Sequence, residues 1–230
     1  MREGDFVKVE YVGRVSDTNE IFDLTSEELA KKEGIHNPNY RYGPVLVIIG
    51  ASMVIPGVEK KLKEMKLGRE KEFDFEPEEG FGKRDVKRIK IISLANFIRQ
   101  KINPVPGTFV EINGRQAKIQ SVSGGRVRID FNHPLAGKNL RYKVKIVEVI
   151  EKHLERVKAI TDYYRLECEL KLENGVLDVK TKETVQDIVR KILTDVITKW
   201  VKEVKKVNFS GGKEQKTESK TKEKTKKESK

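Results

Sequence analysis

Three histidines, His36, His133 and His153, stand far apart in the sequence, and no two share metal-ligand spacing. No glycine-rich phosphate loop follows a strand, and no nucleophile has a base at a spacing that would activate it. Aspartate and glutamate are so abundant that any carboxylate dyad drawn from them is a product of composition. What stands out is an ordered set of aromatic and apolar residues. It runs Tyr11; Phe22-Asp23; Val54-Ile55-x-Gly57-Val58-Glu59; Phe81-Gly82; Leu140-x-Tyr142-x-Val144. With one carboxylate beside the rings and no acid–base couple, such a set offers a shaped apolar surface instead of a proton relay.

Those residues need elements to hold them. Residues 4–15 alternate polar and apolar with β-branched and aromatic side chains, which predicts a strand. Thr25 with Glu28 forms a capping box for a short helix that Gly34 ends. Val45 to Ile49 is a strand broken by Gly50. Pro56 suits the first turn of a helix on which Val58, Leu62 and Met65 share a face. Residues 69–76 alternate again. From about Asp85 the pattern restarts as short strands separated by Pro106-Gly107, Asn113-Gly114 and Ser123-Gly124-Gly125, a small all-β unit of 85–129. Longer strands return at Arg126–Phe131 and Leu140–Val149.

After Ile150 the character changes. A helix is expected from His153 to Tyr164. Alternating Leu166, Cys168, Leu170 and Leu172 then lead to Asn174-Gly175 and a hairpin. A wide apolar helical stripe over 183–206 follows. One helix and one hairpin make a thin core, so the stripe is expected to bury against the rest of the chain or to mediate a homodimer.

The chain has 230 residues, 37% of them charged and 37% hydrophobic, and lacks a run of about 18 apolar residues, so no membrane-spanning helix is expected. The first residues have no apolar core, and Cys168 is the only cysteine. A secretory signal, a disulfide within the chain and a cysteine zinc site are therefore not expected, and the expected location is cytoplasmic. The net charge of +12 is unevenly placed. Residues 1–84 carry 14 basic and 17 acidic side chains, residues 85–129 nine basic and two acidic, and Gly211–Lys230 eight lysines and four glutamates. The last stretch is low in complexity, and 209–230 is expected to be a disordered tail. A basic segment and a basic tail are compatible with nucleic acid or ribosome contact and equally with solvated charge.

The ordered motif set resembles the FKBP family of peptidyl-prolyl isomerases, most closely the long SlyD-like archaeal type with an extra C-terminal domain. Val54-Ile55-Pro56-Gly57-Val58-Glu59 resembles the family's turn into its single helix. Glu79-Gly80-Phe81-Gly82 resembles its aromatic-glycine step. Asp130-Phe-Asn-His-Pro-Leu-Ala-Gly-Lys-Asn-Leu140 resembles the signature on the return from an inserted domain. The resemblance covers roughly residues 1–150 and implies an α+β protein. Residues 1–84 and 130–152 would form a bent antiparallel sheet around a short helix. Residues 85–129 would be an insert-in-flap chaperone domain, and 153–208 an α+β C-terminal domain.

The resemblance also implies roles. Tyr11 and Phe22 would wall a proline-binding cup, Val54, Ile55 and Val58 would form its floor and edge, and Tyr142 would close the far side. Asp23 would orient substrate, and the Ile55 N–H would donate to a substrate carbonyl. Val45, Val47 and Leu135 would contact substrate. Phe81 stands where the family usually has Tyr, so the hydroxyl contact of that position is missing. No cofactor is implied. The tail lacks the His and Cys of metal-binding SlyD tails, so no metal site is expected. Implied partners are unfolded or proline-containing polypeptides. The alternatives are a holding chaperone with a vestigial cup and a nucleic-acid or ribosome-associated module.

Overall fold

In the computed structural model, residues 1–211 are described, and they divide into two compact units that meet at Ile150/Glu151. The elements of the first unit are β1 (Phe6–Val15), β2 (Ile21–Leu24), α1 (Glu27–Lys32), β3 (Val45–Ile48), α2 (Pro56–Glu64), β4 (Glu70–Phe75), β5 (Ile89–Ser93), α3 (Leu94–Arg99), β6 (Phe109–Ile112), β7 (Arg115–Ser123), β8 (Arg126–Asp130) and β9 (Leu140–Ile150).

The period-two pattern of β1 is what builds the first sheet. Val7, Val9, Tyr11 and Gly13 face one side, and their polar neighbours face the other. One edge of β1 pairs with β9 along its whole length. The other edge is shared, since Phe6–Val9 pairs with β3 and Val12–Arg14 with β2. β4 lies beyond β9, and every pairing is antiparallel. Helix α2 packs on the side lined by Val7, Val9, Val47, Phe75, Leu140, Val144 and Ile146, burying Val58, Leu62 and Met65 against them. Pro56 opens α2, where its missing N–H costs nothing. Glu59 accepts the Gly50 N–H, tying the helix to the end of β3.

Two glycines are demanded by close approach. A Cβ on Gly57 would lie 2.5 Å from Phe75 Cδ1, so the missing side chain lets α2 sit directly on that ring. A Cβ on Gly13 would lie 2.7 Å from Phe22 Cζ and 3.2 Å from Tyr142 Cε1. Its absence lets Phe22 cross over β1 to reach Tyr142.

The capping of α1 differs from expectation. Ser26, not Thr25, is the N-cap, accepting the Leu29 N–H at 3.2 Å. Thr25 is occupied elsewhere: its Oγ1 accepts the Tyr11 N–H at 2.9 Å and donates to the Tyr11 carbonyl at 3.2 Å. A hydroxyl engaged with both the N–H and the carbonyl of Tyr11 on β1 does not cap the helix. Gly34 ends α1 as expected: its N–H bonds Lys31 O, and the Ile35 N–H bonds Ala30 O.

Strands β5 to β8 form a separate antiparallel sheet in the order β5-β8-β7-β6. Its small core of Ala117, Ile119, Val127 and Ile129 is closed by Phe97 of α3, a short helix that the strand alternation did not indicate. The two chain crossings between the sheets are fastened together. Arg84 pairs with Asp130 at 2.5 Å, and Gln120 Nε2 donates to the same oxygen at 2.9 Å. The Asn132 N–H and side-chain amide donate to the other oxygen of Asp130, while Asn132 Oδ1 accepts the Asp85 N–H. Burial pushes the Asp130 carboxyl up, but the Asn132 and Arg84 bonds outweigh it and hold the group below the usual carboxylate range.

The second unit comprises α4 (His153–Tyr163), β10 (Cys168–Glu173), β11 (Val176–Thr181), α5 (Asp187–Trp200) and β12 (Lys206–Ser210). The Asn174-Gly175 turn joins β10 and β11 as the sequence predicts. β12 pairs with β11 in parallel, which requires the crossover that α5 supplies. Helix α5 is shorter than the expected 183–206. The apolar period outruns it because Val185, Val201 and Val204 are buried from the flanking turns. The expected tail begins too early at 209, because the chain stays in β12 through Ser210; residues 212–230 lie outside the described residues. No helix among the described residues is long and apolar enough to cross a membrane.

Candidate active site

A cavity of about 300 Å³ opens between the first sheet and the start of α2. Val9, Tyr11, Asp23, Met53, Val54, Ile55, Val58, Phe81 and Tyr142 line it. Seven of these nine were named from the sequence, and they come from segments as far apart as Tyr11 and Tyr142. β1 supplies Val9 and Tyr11, β2 Asp23, the loop into α2 Met53 to Ile55, α2 Val58, and β9 Tyr142. Phe81 enters from the turn after β4.

The aromatic residues form one connected group. Tyr142 lies 5.9 Å from Tyr11, 5.6 Å from Phe22 and 6.0 Å from Phe75, centroid to centroid. Phe22 meets Phe81 edge-on at 6.2 Å. These tilted and edge-to-face contacts are the favoured geometries for rings. Phe22 thus backs the cavity instead of lining it, a consequence of its passage over Gly13.

Asp23 is the polar centre. Tyr11 Oη donates to its Oδ2 at 2.6 Å and Tyr40 Oη to its Oδ1 at 3.1 Å. Both carboxylate oxygens are therefore held by hydroxyls, and the group is fixed in direction. Burial, then the bond to Asp23, keeps the Tyr11 hydroxyl far above the usual phenol range. Burial and the Asp23 charge do the same for Tyr142. The Tyr40 hydroxyl is pushed up to about 12 by burial and Asp23. All three phenols are neutral at physiological pH. The Ile55 N–H has no acceptor among the described residues, and Ile55 lines the cavity.

Three residues predicted to contact substrate lie outside this lining. Val47 is 1% exposed and belongs to the core beneath α2, Val45 packs half-buried on that core, and Leu135 is half-buried in the turn that follows His133. Strand alternation places Val45 and Val47 on the apolar face, where they pack in the core without reaching the cavity. Conversely, Val9, Met53, Tyr40 and His133 were not among the expected site residues. Val9 carries no signal beyond alternation. Met53 is placed by a loop whose shape the sequence does not reveal, with its sulfur accepting the Ile48 N–H at 3.4 Å.

His133 stacks flat on Phe81, 4.2 Å away with the planes 4° apart. Its Nδ1 accepts the Leu135 N–H at 3.2 Å, which requires that nitrogen to be unprotonated. Burial pushes the imidazole below its ordinary value. A lowered histidine pKa stabilises the fold fully above the unfolded value of about 6.5, and the contribution is lost as pH falls through the folded value. Turnover is expected to vary by less than about twofold from pH 7 to 9, because no phenol titrates there, and stability is expected to decline below about pH 6. Thermal melts across this range check it. His133→Gln should remove the part of the decline that sets in below the unfolded histidine value and leave the part at lower pH that comes from carboxylates such as Asp130.

Similarity to known proteins places the chain in a family. Residues 1–98 match the FKBP-type peptidyl-prolyl cis-trans isomerase family, and residues 90–135 match the FKBP26 IF domain. The short-type peptidyl-prolyl cis-trans isomerase of Methanocaldococcus jannaschii is 36% identical over 149 residues, 65% of this chain and 94% of that protein. The FKBP-type isomerase SlyD of Helicobacter pylori is 29% identical over 119 residues, half of this chain and 64% of that one. The FKBP-type 16 kDa isomerase of Escherichia coli is 28% identical over 111 residues, 46% and 74% of the two chains. The chain belongs to the FKBP-type peptidyl-prolyl cis-trans isomerases. It is an isomerase.

Proposed function

We propose that the cavity binds an Xaa-Pro peptide bond in its twisted form and so speeds prolyl isomerisation in unfolded or refolding polypeptides. Rotation about this bond meets a barrier of roughly 20 kcal/mol, set by loss of amide resonance. No bond breaks and no proton moves, so rate enhancement requires only that the twisted amide be held more tightly than the planar one. A dry aromatic cup does this, because the twisted carbonyl is less polar and less hydrated. Tyr11, Tyr142 and Phe81 would grip the pyrrolidine ring, Ile55 N–H would donate to the substrate carbonyl, and the fixed Asp23 would orient the chain before the proline. The observation that carries this reading is a carboxylate with both oxygens taken by phenol hydroxyls inside an otherwise apolar cavity. Such an arrangement serves orientation.

The sheet of β5 to β8 would hold unfolded chains near the cup. Exposed Ile91 and Phe109 on the sheet, Val86 just before β5 and Ile98 on α3 support this, with Ile91 67% and Ile98 64% exposed. Self-association would run through the outer side of α5, where Ile188 and Ile192 are exposed one helical turn apart. The decisive test is a proline-limited refolding reaction with the full chain. Wild type should accelerate it. Tyr11→Ala with Phe22→Ala should lose at least about 100-fold in kcat/KM while still suppressing aggregation of a proline-free client. An unchanged rate in that variant would sink the isomerase assignment of the cavity. Loss of both activities together would sink the separation of the two surfaces.

A further inference from the structure

The outward face of the inserted sheet has a composition its core face does not share. Cross-strand register places Ile91 of β5 and Ser121 of β7 on either side of Arg128 of β8. Ser93 and Ser123 flank Arg126 in the same way, and Lys118 lies opposite Phe109 of β6. Directly opposed residues point to one face of a sheet, so these side chains share a surface. Arg126, Arg128 and Lys118 are exposed, and none forms an ion pair among the described residues. Lys118 Nζ lies 5.9 Å from the centre of the Phe109 ring. The acids of this face do not neutralise it. Asp130 is already paired with Arg84, and Glu111 on the edge strand remains the one other carboxylate.

We infer that this face selects client segments in which carboxylates alternate with apolar side chains. The inference rests on the proposal that the inserted sheet holds unfolded chains, and it names their class. Charge complementarity argues for acidic groups. The spacing argues for an extended polypeptide, since Arg126 and Arg128 are two residues apart on one strand, with Ile91 beside Arg128, and an extended chain presents like-facing side chains at that same period. The apolar members favour polypeptide over single-stranded nucleic acid. Ile91 is 67% exposed and aliphatic, and Phe109, the aromatic residue of this face, lies under Lys118. A nucleic-acid surface is built on free aromatic platforms for base stacking.

The test uses the full chain and two labelled, proline-free, unfolded peptides that share their leucines and phenylalanines and differ only in carrying glutamates or lysines. The acidic peptide should bind roughly tenfold more tightly, from several exposed charge contacts acting together, and the gap should narrow as salt rises. Arg126→Glu with Arg128→Glu should reverse the preference, and Arg126→Gln with Arg128→Gln should abolish it. Turnover of a short proline peptide should be unchanged in both variants. Ile91→Ser with Phe109→Ser should weaken both peptides equally. Equal affinity for the two peptides would overturn the charge selection while leaving the holding role intact. Failure of both to bind would overturn the holding role as well. Tighter binding of an RNA oligomer than of the acidic peptide would overturn the assignment to polypeptide.

Discussion

Tyr142→Ala should lower stability by about 3–5 kcal/mol, the usual cost of deleting a buried ring, and should reduce kcat/KM at least 100-fold. Tyr142 is 7% exposed and touches three other rings, Tyr11, Phe22 and Phe75, so its loss removes one cavity wall, the support of a second, Tyr11, and the packing of the two rings behind them. It also sits opposite Gly13, the position whose missing side chain brings Phe22 within reach. The ring therefore matters more than its hydroxyl. Tyr142→Phe retains every ring contact and should cost about 1 kcal/mol or less. Urea unfolding together with proline-limited refolding separates the two effects. Turnover of folded Tyr142→Ala close to wild type would show that the aromatic group is scaffold and that the catalytic surface lies elsewhere.

The strands that carry the cavity were legible because each buries one face. Alternation in β1, β4 and β9 fixed which side chains point to α2, and Pro56 marked where that helix begins. Periodicity alone could not bring Tyr11 and Tyr142 together; the register of β1 on β9 does that, and only the ordered motif set anticipated it. Positions fixed by loops were not legible. Met53 enters the cavity through a turn held by a sulfur contact, and Tyr40 reaches Asp23 from a loop whose aromatic residues pack on one another, with Tyr40 and Tyr42 5.0 Å apart. The capping of α1 was misplaced by one residue because Thr25 and Ser26 are both good caps. The choice between them is made by β1, which claims the Thr25 hydroxyl. The C-terminal stripe was overextended for a related reason: periodic burial continues through turns that keep facing the same core.

Gly57→Ala discriminates between local and tertiary control of the site. In an isolated helix the change is favourable by roughly 1 kcal/mol. Here the new Cβ would lie 2.5 and 2.8 Å from two atoms of the Phe75 ring and 3.1 Å from Glu79 Cβ. Phe75 is 2% exposed and braced by Phe73 at 6.1 Å and Tyr142 at 6.0 Å, so it has no space into which to turn. Overpacking of this kind costs about 1–3 kcal/mol and displaces the element that carries it. That element is the first turn of α2, which holds Val58 and follows Ile55 directly. The expected result is a net loss of stability and a fall of at least about tenfold in kcat/KM, because a small shift at the positioning groups is amplified in the rate. Phe75→Leu in the same chain should restore part of both, since the two positions are in contact and their energies do not add. If Gly57→Ala were instead as stable and active as wild type, α2 would be free to move off the sheet. Close packing at Gly57 would then not be what positions Ile55, and the proposed donation from its N–H would lose its structural basis.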